Sequence, residues 1–111
     1  MNAIEQIADK TEAALAFLSN RGLLFHERRI LHPESYKGGF VLTFSGNGET
    51  VTVEYLDMQF EVRIGDAELF GSNLHPEFSG NMFSREHLVE HMPKLAAVLQ
   101  TQLAKHAQRA V

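Results

Sequence analysis

His87 and His91 stand four residues apart in a stretch of helical periodicity, a spacing that puts two imidazoles on one helix face where they could share a metal ion. A zinc-protease helix carries glutamate directly after its first histidine. Here Leu88 holds that place, and nothing fixes the approach of a third ligand from His75 or Glu77. Two surface histidines flanking an apolar stripe are the simpler reading of the pair, so no metal and no cofactor are assigned. A second set is a repeated turn: Leu31-His32-Pro33-Glu34 recurs as Leu74-His75-Pro76-Glu77. If the two turns met, their His and Glu side chains could hold a divalent ion or form an acid–base pair, but the spacing does not require a meeting. Phe44-Ser45-Gly46-Asn47 also recurs, as Phe78-Ser79-Gly80-Asn81, in a different register, so shared turn chemistry accounts for both without a repeat architecture.

Asp57 with Glu61-Val62-Arg63 offers two carboxylates and a cation on strand-like sequence, a distant likeness to the Asp…Glu-x-Lys set of metal-dependent nucleases. The gap is short, arginine replaces lysine, and the alternation of apolar residues breaks between the two acids. Solvated strand faces are the simpler reading. Cysteine is absent, which removes thiolate catalysis, disulfides and most structural zinc sites. There is no Gly-x-Ser-x-Gly elbow, phosphate-binding loop or dinucleotide fingerprint. No catalytic residue is assigned, and the expectation is a protein that is not an enzyme.

What remains is charge. Between positions 49 and 90 nine carboxylates face only Arg63 and Arg85, whereas the whole chain is −4, so the rest is net positive. Glu54, Glu61 and Glu68 alternate with apolar residues that must face a core, which turns these acids to the opposite side of a sheet. Asp57 and Asp66 fall at strand ends and Glu49 at a turn. These six are the candidate partner-binding residues: Glu49, Glu54, Asp57, Glu61, Asp66 and Glu68. A charged face serves solubility in any small domain; it also speeds capture of a basic protein and rejects wrong partners. An acidic chain is a poor match for direct nucleic-acid binding, which needs clustered Lys and Arg.

The elements that must position these residues are legible in the spacing. Residues 2–20 read as one helix, with Ile4, Ile7, Thr11, Ala14, Leu15 and Leu18 on a single face and Gly22 as its stop. Phe17 lies off that stripe and is expected to be covered by the following segment. Residues 23–31 are apolar at both ends and charged inside, as suits an edge strand, with Arg28 and Arg29 as solvated edge charges. A turn at His32-Pro33 and a Gly38-Gly39 loosening precede a strand at 40–44. Asn47-Gly48 marks a tight hairpin. Val51, Val53 and Tyr55 then share one face, but the apolar parity switches at Leu56, which demands either a bulge or a reversal near Leu56-Asp57. Gly65-Asp66 closes a further hairpin onto residues 67–70, and 71–83 read as a loop. Ser84 caps a last helix whose stripe is Leu88, Met92, Leu95, Leu99 and Leu103, with a kink or restart at Pro93.

The expected fold is therefore one α+β domain over residues 1–111: a two-layer arrangement, an antiparallel β-meander of four to five strands flanked by an N-terminal and a C-terminal helix. At 44% apolar and 22% charged the composition is that of an ordinary globular domain. No apolar run approaches a membrane span. The first stretch, with Glu5, Asp9 and Glu12, does not read as a signal or transit peptide, so a cytoplasmic location is expected.

In overall make-up the chain resembles the immunity proteins of bacterial contact-dependent growth inhibition systems, particularly those of Burkholderia. The likeness spans the whole chain, a short cysteine-free acidic α+β domain with helix at residues 1–20 and 84–111. It rests on no motif, so it assigns no residue. It implies a cytoplasmic antitoxin that forms a one-to-one heterodimer with a cognate toxin domain, a basic protein, often a nuclease acting on tRNA. The competing classes are a small acidic secretion chaperone and, less favoured, a small metal-dependent enzyme.

Overall fold

The computed structural model describes residues 3–71 and 78–109. Among the described residues five strands follow the helical N-terminal segment: β1 (Leu24–Leu31), β2 (Gly39–Gly46), β3 (Glu49–Leu56), β4 (Gln59–Ile64) and β5 (Ala67–Phe70). They lie side by side in chain order and every pair is antiparallel, the simplest meander. Helices α1 (Ala3–Ala14) and α2 (Arg85–Arg109) cover one face of the sheet, giving the α+β fold expected from the spacing.

Alternation does the sorting. Phe40, Leu42 and Phe44 of β2, Val51, Val53 and Tyr55 of β3, and Phe60, Val62 and Ile64 of β4 are all buried beneath the helices. Ile4, Ile7 and Ala8 of α1 and Leu88, Met92, Leu95, Leu99 and Leu103 of α2 complete the same core. Thr11 is fully buried too, and its hydroxyl is satisfied by donating to the Ile7 carbonyl at 2.8 Å.

One local expectation is corrected, and at two further places the structure selects between alternatives that the spacing left open. The first helix does not run to residue 20: it ends at Ala14, and Ala16–Arg21 form a 3₁₀ segment, stopped by Gly22 in the left-handed region at φ 77°. The tighter winding suits the apolar spacing after Leu15, because Leu15 and Leu18 are three apart and are both buried. It also brings Phe17 against the core, half-buried beside Leu69, Leu99 and Leu103. The parity switch at Leu56 is a reversal, not a bulge: Asp57 and Met58 form a two-residue turn with φ of 52° and 65°. The same backbone shape occurs at Asn47-Gly48, with φ of 55° and 77°. Lastly, α2 passes through Pro93 without restarting. The proline is exposed on the solvent side, and buried Leu88 and Met92 before it and Leu95 and Leu99 after it hold both halves on one core.

Ser84 caps α2 as its sequence position requires, its Oγ accepting from the His87 N–H at 3.2 Å. Just before it, residues 81–83 pair with the start of β4: the Phe60 N–H donates to Asn81 and the Phe83 N–H to Met58. The stretch read as loop thus carries a short piece of sheet. The Tyr55 hydroxyl locks it from below, donating to the Phe83 carbonyl at 2.8 Å.

Candidate protein-binding face

The six candidate carboxylates do not form one patch. The hairpins divide them among three places. Glu49 follows the β2–β3 turn and Asp66 lies in the β4–β5 turn, both at one end of the sheet; Asp57 lies in the β3–β4 turn at the other end. Only Glu54, Glu61 and Glu68 share the broad face turned away from the helices. Glu49 has company of its own, with its carboxylate 3.6 Å from His106 Nε2 near the end of α2, an ion pair whenever the imidazole is protonated.

On the outward face the register sets out two charged rows. One runs Arg29, Val41, Glu54, Glu61 across β1 to β4; the next runs Glu27, Thr43, Thr52, Arg63, Glu68 across all five strands. Glu54 and Glu61 are directly opposite one another, a like-charge pair that destabilises a sheet. Arg63 offsets part of this: its Nε donates to Glu61, and its guanidinium lies 4.0 Å from Glu68. Glu68 is drawn into the surface, its side chain only 14% exposed, where Gly71 lets the chain pass close to both acids. A Cβ on Gly71 would stand 3.0 Å from Glu61 and from Glu68. Glu54 is left as the most outward acid of the three. Because Arg29 and Arg63 interleave with the carboxylates, the face is less uniformly acidic than the chain segment that supplies it. That mixture could not be read from residue order, since Arg29 reaches the row from a strand outside the acidic segment.

The other sets separate. His87 and His91 are neighbours, ring centroids 6.3 Å apart, and His91 leans on Phe78 and Phe83 beside an open cavity of about 210 Å³ that Lys94 also lines. Among the described residues no three His, Asp or Glu side chains converge as a metal site. His32 is exposed in its turn, whereas His75 and Glu77 lie outside the described residues, so the paired His-Pro-Glu turns cannot be compared. Asp57 sits in a turn while Glu61 faces Glu54 and Arg63 on the sheet, which breaks up the nuclease-like set.

One charged cluster was missed by sequence reading. Arg28 was expected to be solvated, yet its register opposite Leu42 places it on the helix side of β1. There it meets Asp9 at 2.7 Å and Glu12 at 3.3 Å. Partial burial works against its charge, but the two carboxylates outweigh that and hold the guanidinium pKa above its ordinary value. The signal was available in the Asp9–Glu12 spacing on α1, but only a strand register could identify the cation it serves. Among the described residues no helix is long and apolar enough to cross a membrane. Comparison with protein-family models, with curated proteins and with solved structures finds no match to this chain.

Proposed function

We propose that the chain is a cytoplasmic immunity protein that binds and neutralises a basic toxin domain, a nuclease by preference, of a contact-dependent inhibition effector. The observation that supports this reading is the Glu54–Glu61 pair. Two carboxylates directly opposite on an exposed sheet face cost stability. Lysine or arginine at either position would remove the cost, and a cationic partner group laid between the two acids removes it as well. A pair that Arg63 neutralises only in part, and that a bound cation would neutralise further, fits capture of a basic domain, with Glu68 as a more buried acceptor beside it. Resemblance in size, charge and fold supports the immunity class in particular. Glu49, Asp57 and Asp66, at the ends of the sheet, take the role of rim charges.

Rim charges govern association rate, whereas truncating a buried, paired carboxylate costs about 2–5 kcal/mol of affinity. The test is binding to the C-terminal toxin domain encoded by the neighbouring upstream reading frame, together with protection of cells that express it. Glu54→Ala and Glu61→Ala are expected to slow association, and added salt to narrow their difference from the wild type. Glu68→Ala is expected to speed dissociation. Unchanged rates, affinity and protection in all three variants would move the interface off this face.

A further inference from the structure

The two edges of the sheet are finished differently. On one side the four-residue β5 and the bridge at Met82 cover β4, leaving only a short border. On the other side the eight-residue β1 is the outermost strand, and among the described residues no strand pairs with its outer backbone edge. Edges of this length invite pairing unless they are blocked. Charges at Glu27, Arg28 and Arg29 and a bulge restrict which strands β1 can accept, but they do not cover its apolar surface: Leu24 is 61% exposed and Phe25 44% exposed. Beside Phe25 an open cavity of about 320 Å³ runs between the edge and the helical segment, lined by Leu15, Ala16, Leu23 and Phe44.

We propose that β1 pairs with β1 of a second copy of this chain, antiparallel about a two-fold axis at Arg28, making one continuous sheet through both protomers. The sequence of β1 is self-complementary in that register and in no neighbouring one. His26 is the extra residue of a bulge between Phe25 and Glu27, so it drops out of the count. Glu27 then stands opposite Arg29 of the second copy, and both lie on the outward face. Phe25 stands opposite Ile30 of the second copy on the helix side, at the mouth of the cavity. Leu24 stands opposite Leu31 of the second copy, again on a shared face. Moving the axis to Arg29 would oppose two arginines on the outward face and leave Glu27 against leucine.

The bulge is what makes the match work. Without it Leu24 and Leu31 would fall on opposite faces, and so would Phe25 and Ile30. Arg28 meets Arg28 of the second copy at the axis, on the helix side, which taken alone would oppose pairing. Each guanidinium is already held by Asp9 and Glu12, so the two arginines come together among four carboxylates. The outward face of each protomer stays open, so a partner bound there would still be present at one per chain.

Sedimentation velocity on the full chain over a micromolar-to-millimolar series is expected to show a monomer–dimer equilibrium. E27R alone and R29E alone each replace two attractive cross-strand pairs by two repulsive ones, weakening the dimer by at least about tenfold. Both positions are exposed, so the monomer should keep its far-UV spectrum. An equimolar mixture of the two single variants restores opposite charge at both pairs and should dimerise as the wild type does. The double variant E27R/R29E should dimerise by itself. Hydrogen exchange supplies a second readout: β1 amides should gain protection as concentration rises, β5 amides should not. A wild type that stays monomeric throughout, or a dimer indifferent to both single substitutions, overturns the proposal. So does a mixture that fails to associate.

Discussion

Tyr55 shows how much one side chain holds together. It is buried near the end of β3, packs on Phe40 with ring centroids 5.8 Å apart, and donates its hydroxyl hydrogen to the Phe83 carbonyl. Burial pushes its pKa above the ordinary 10.0; nearby Arg85 pulls the other way, and Glu86 adds to the rise. The folded protein therefore keeps a phenolic proton that the unfolded chain releases. The stability from this group is fully present below the unfolded pKa and is lost as pH climbs through it towards the folded value. Tyr55→Phe is expected to cost about 1 kcal/mol near neutral pH by leaving the Phe83 carbonyl without its donor. It should also flatten the alkaline fall, so that wild type and variant converge in urea melts taken above that pH. Glu54→Lys is expected to act in the opposite sense, gaining a few tenths of a kcal/mol by pairing with Glu61. Under the proposed function it should bind toxin less well, so the more stable protein would be the poorer inhibitor.

Among the elements, the β3–β4 turn shows where residue patterns stop being informative. Asn47-Gly48 announces its turn because both residues tolerate positive φ, and the structure uses it. Asp57-Met58 makes a turn of the same loop length in which Asp57 tolerates positive φ but Met58 does not favour it, so the change in apolar parity at Leu56 was the stronger hint of a break. Phe83 donating to the Met58 carbonyl and Asp57 donating to Lys37 hold the turn from outside, and neither contact is local. Met58→Gly should relieve left-handed strain and raise stability by about 1 kcal/mol in equilibrium unfolding. Asp57→Gly, at the exposed first position, tests the same idea. The core was legible throughout, since β2 to β4 and α2 bury the residues their alternation and helical spacing nominate. The candidate site was legible only in part: facing direction followed from parity for Glu54, Glu61 and Glu68, whereas cross-strand neighbours such as Arg29 and Arg63 followed from register. Register in turn depends on the His26 bulge and the turn lengths, and the bulge has no glycine or proline to mark it.

At the scale of the molecule a single core joins everything, and both helices share it. Leu99 is buried where α2 meets the sheet and the 3₁₀ segment, next to Val51, Val53 and Leu69. Leu99→Ala is expected to cost about 2–5 kcal/mol, a large share of the 5–15 kcal/mol typical of a whole domain. His87→Ala, at an exposed position on the same helix, should cost little. Calorimetric melts of the two variants check the contrast directly; equal losses would mean that the histidine pair contributes to stability through something other than packing.

The strictly sequential strand order bears on how the chain acquires its shape. Each strand finds its neighbour across a turn of a few residues, except for the longer link between β1 and β2, so most sheet contacts close short loops. Chains with such local wiring fold quickly. The two helices are the exception: α1 and α2 touch one another although nearly the whole chain separates them. During synthesis the meander would be complete while its apolar face still waited for residues 85–109 to leave the ribosome. The last quarter of the chain thus sets the moment at which the nascent protein can stop being a substrate for chaperones.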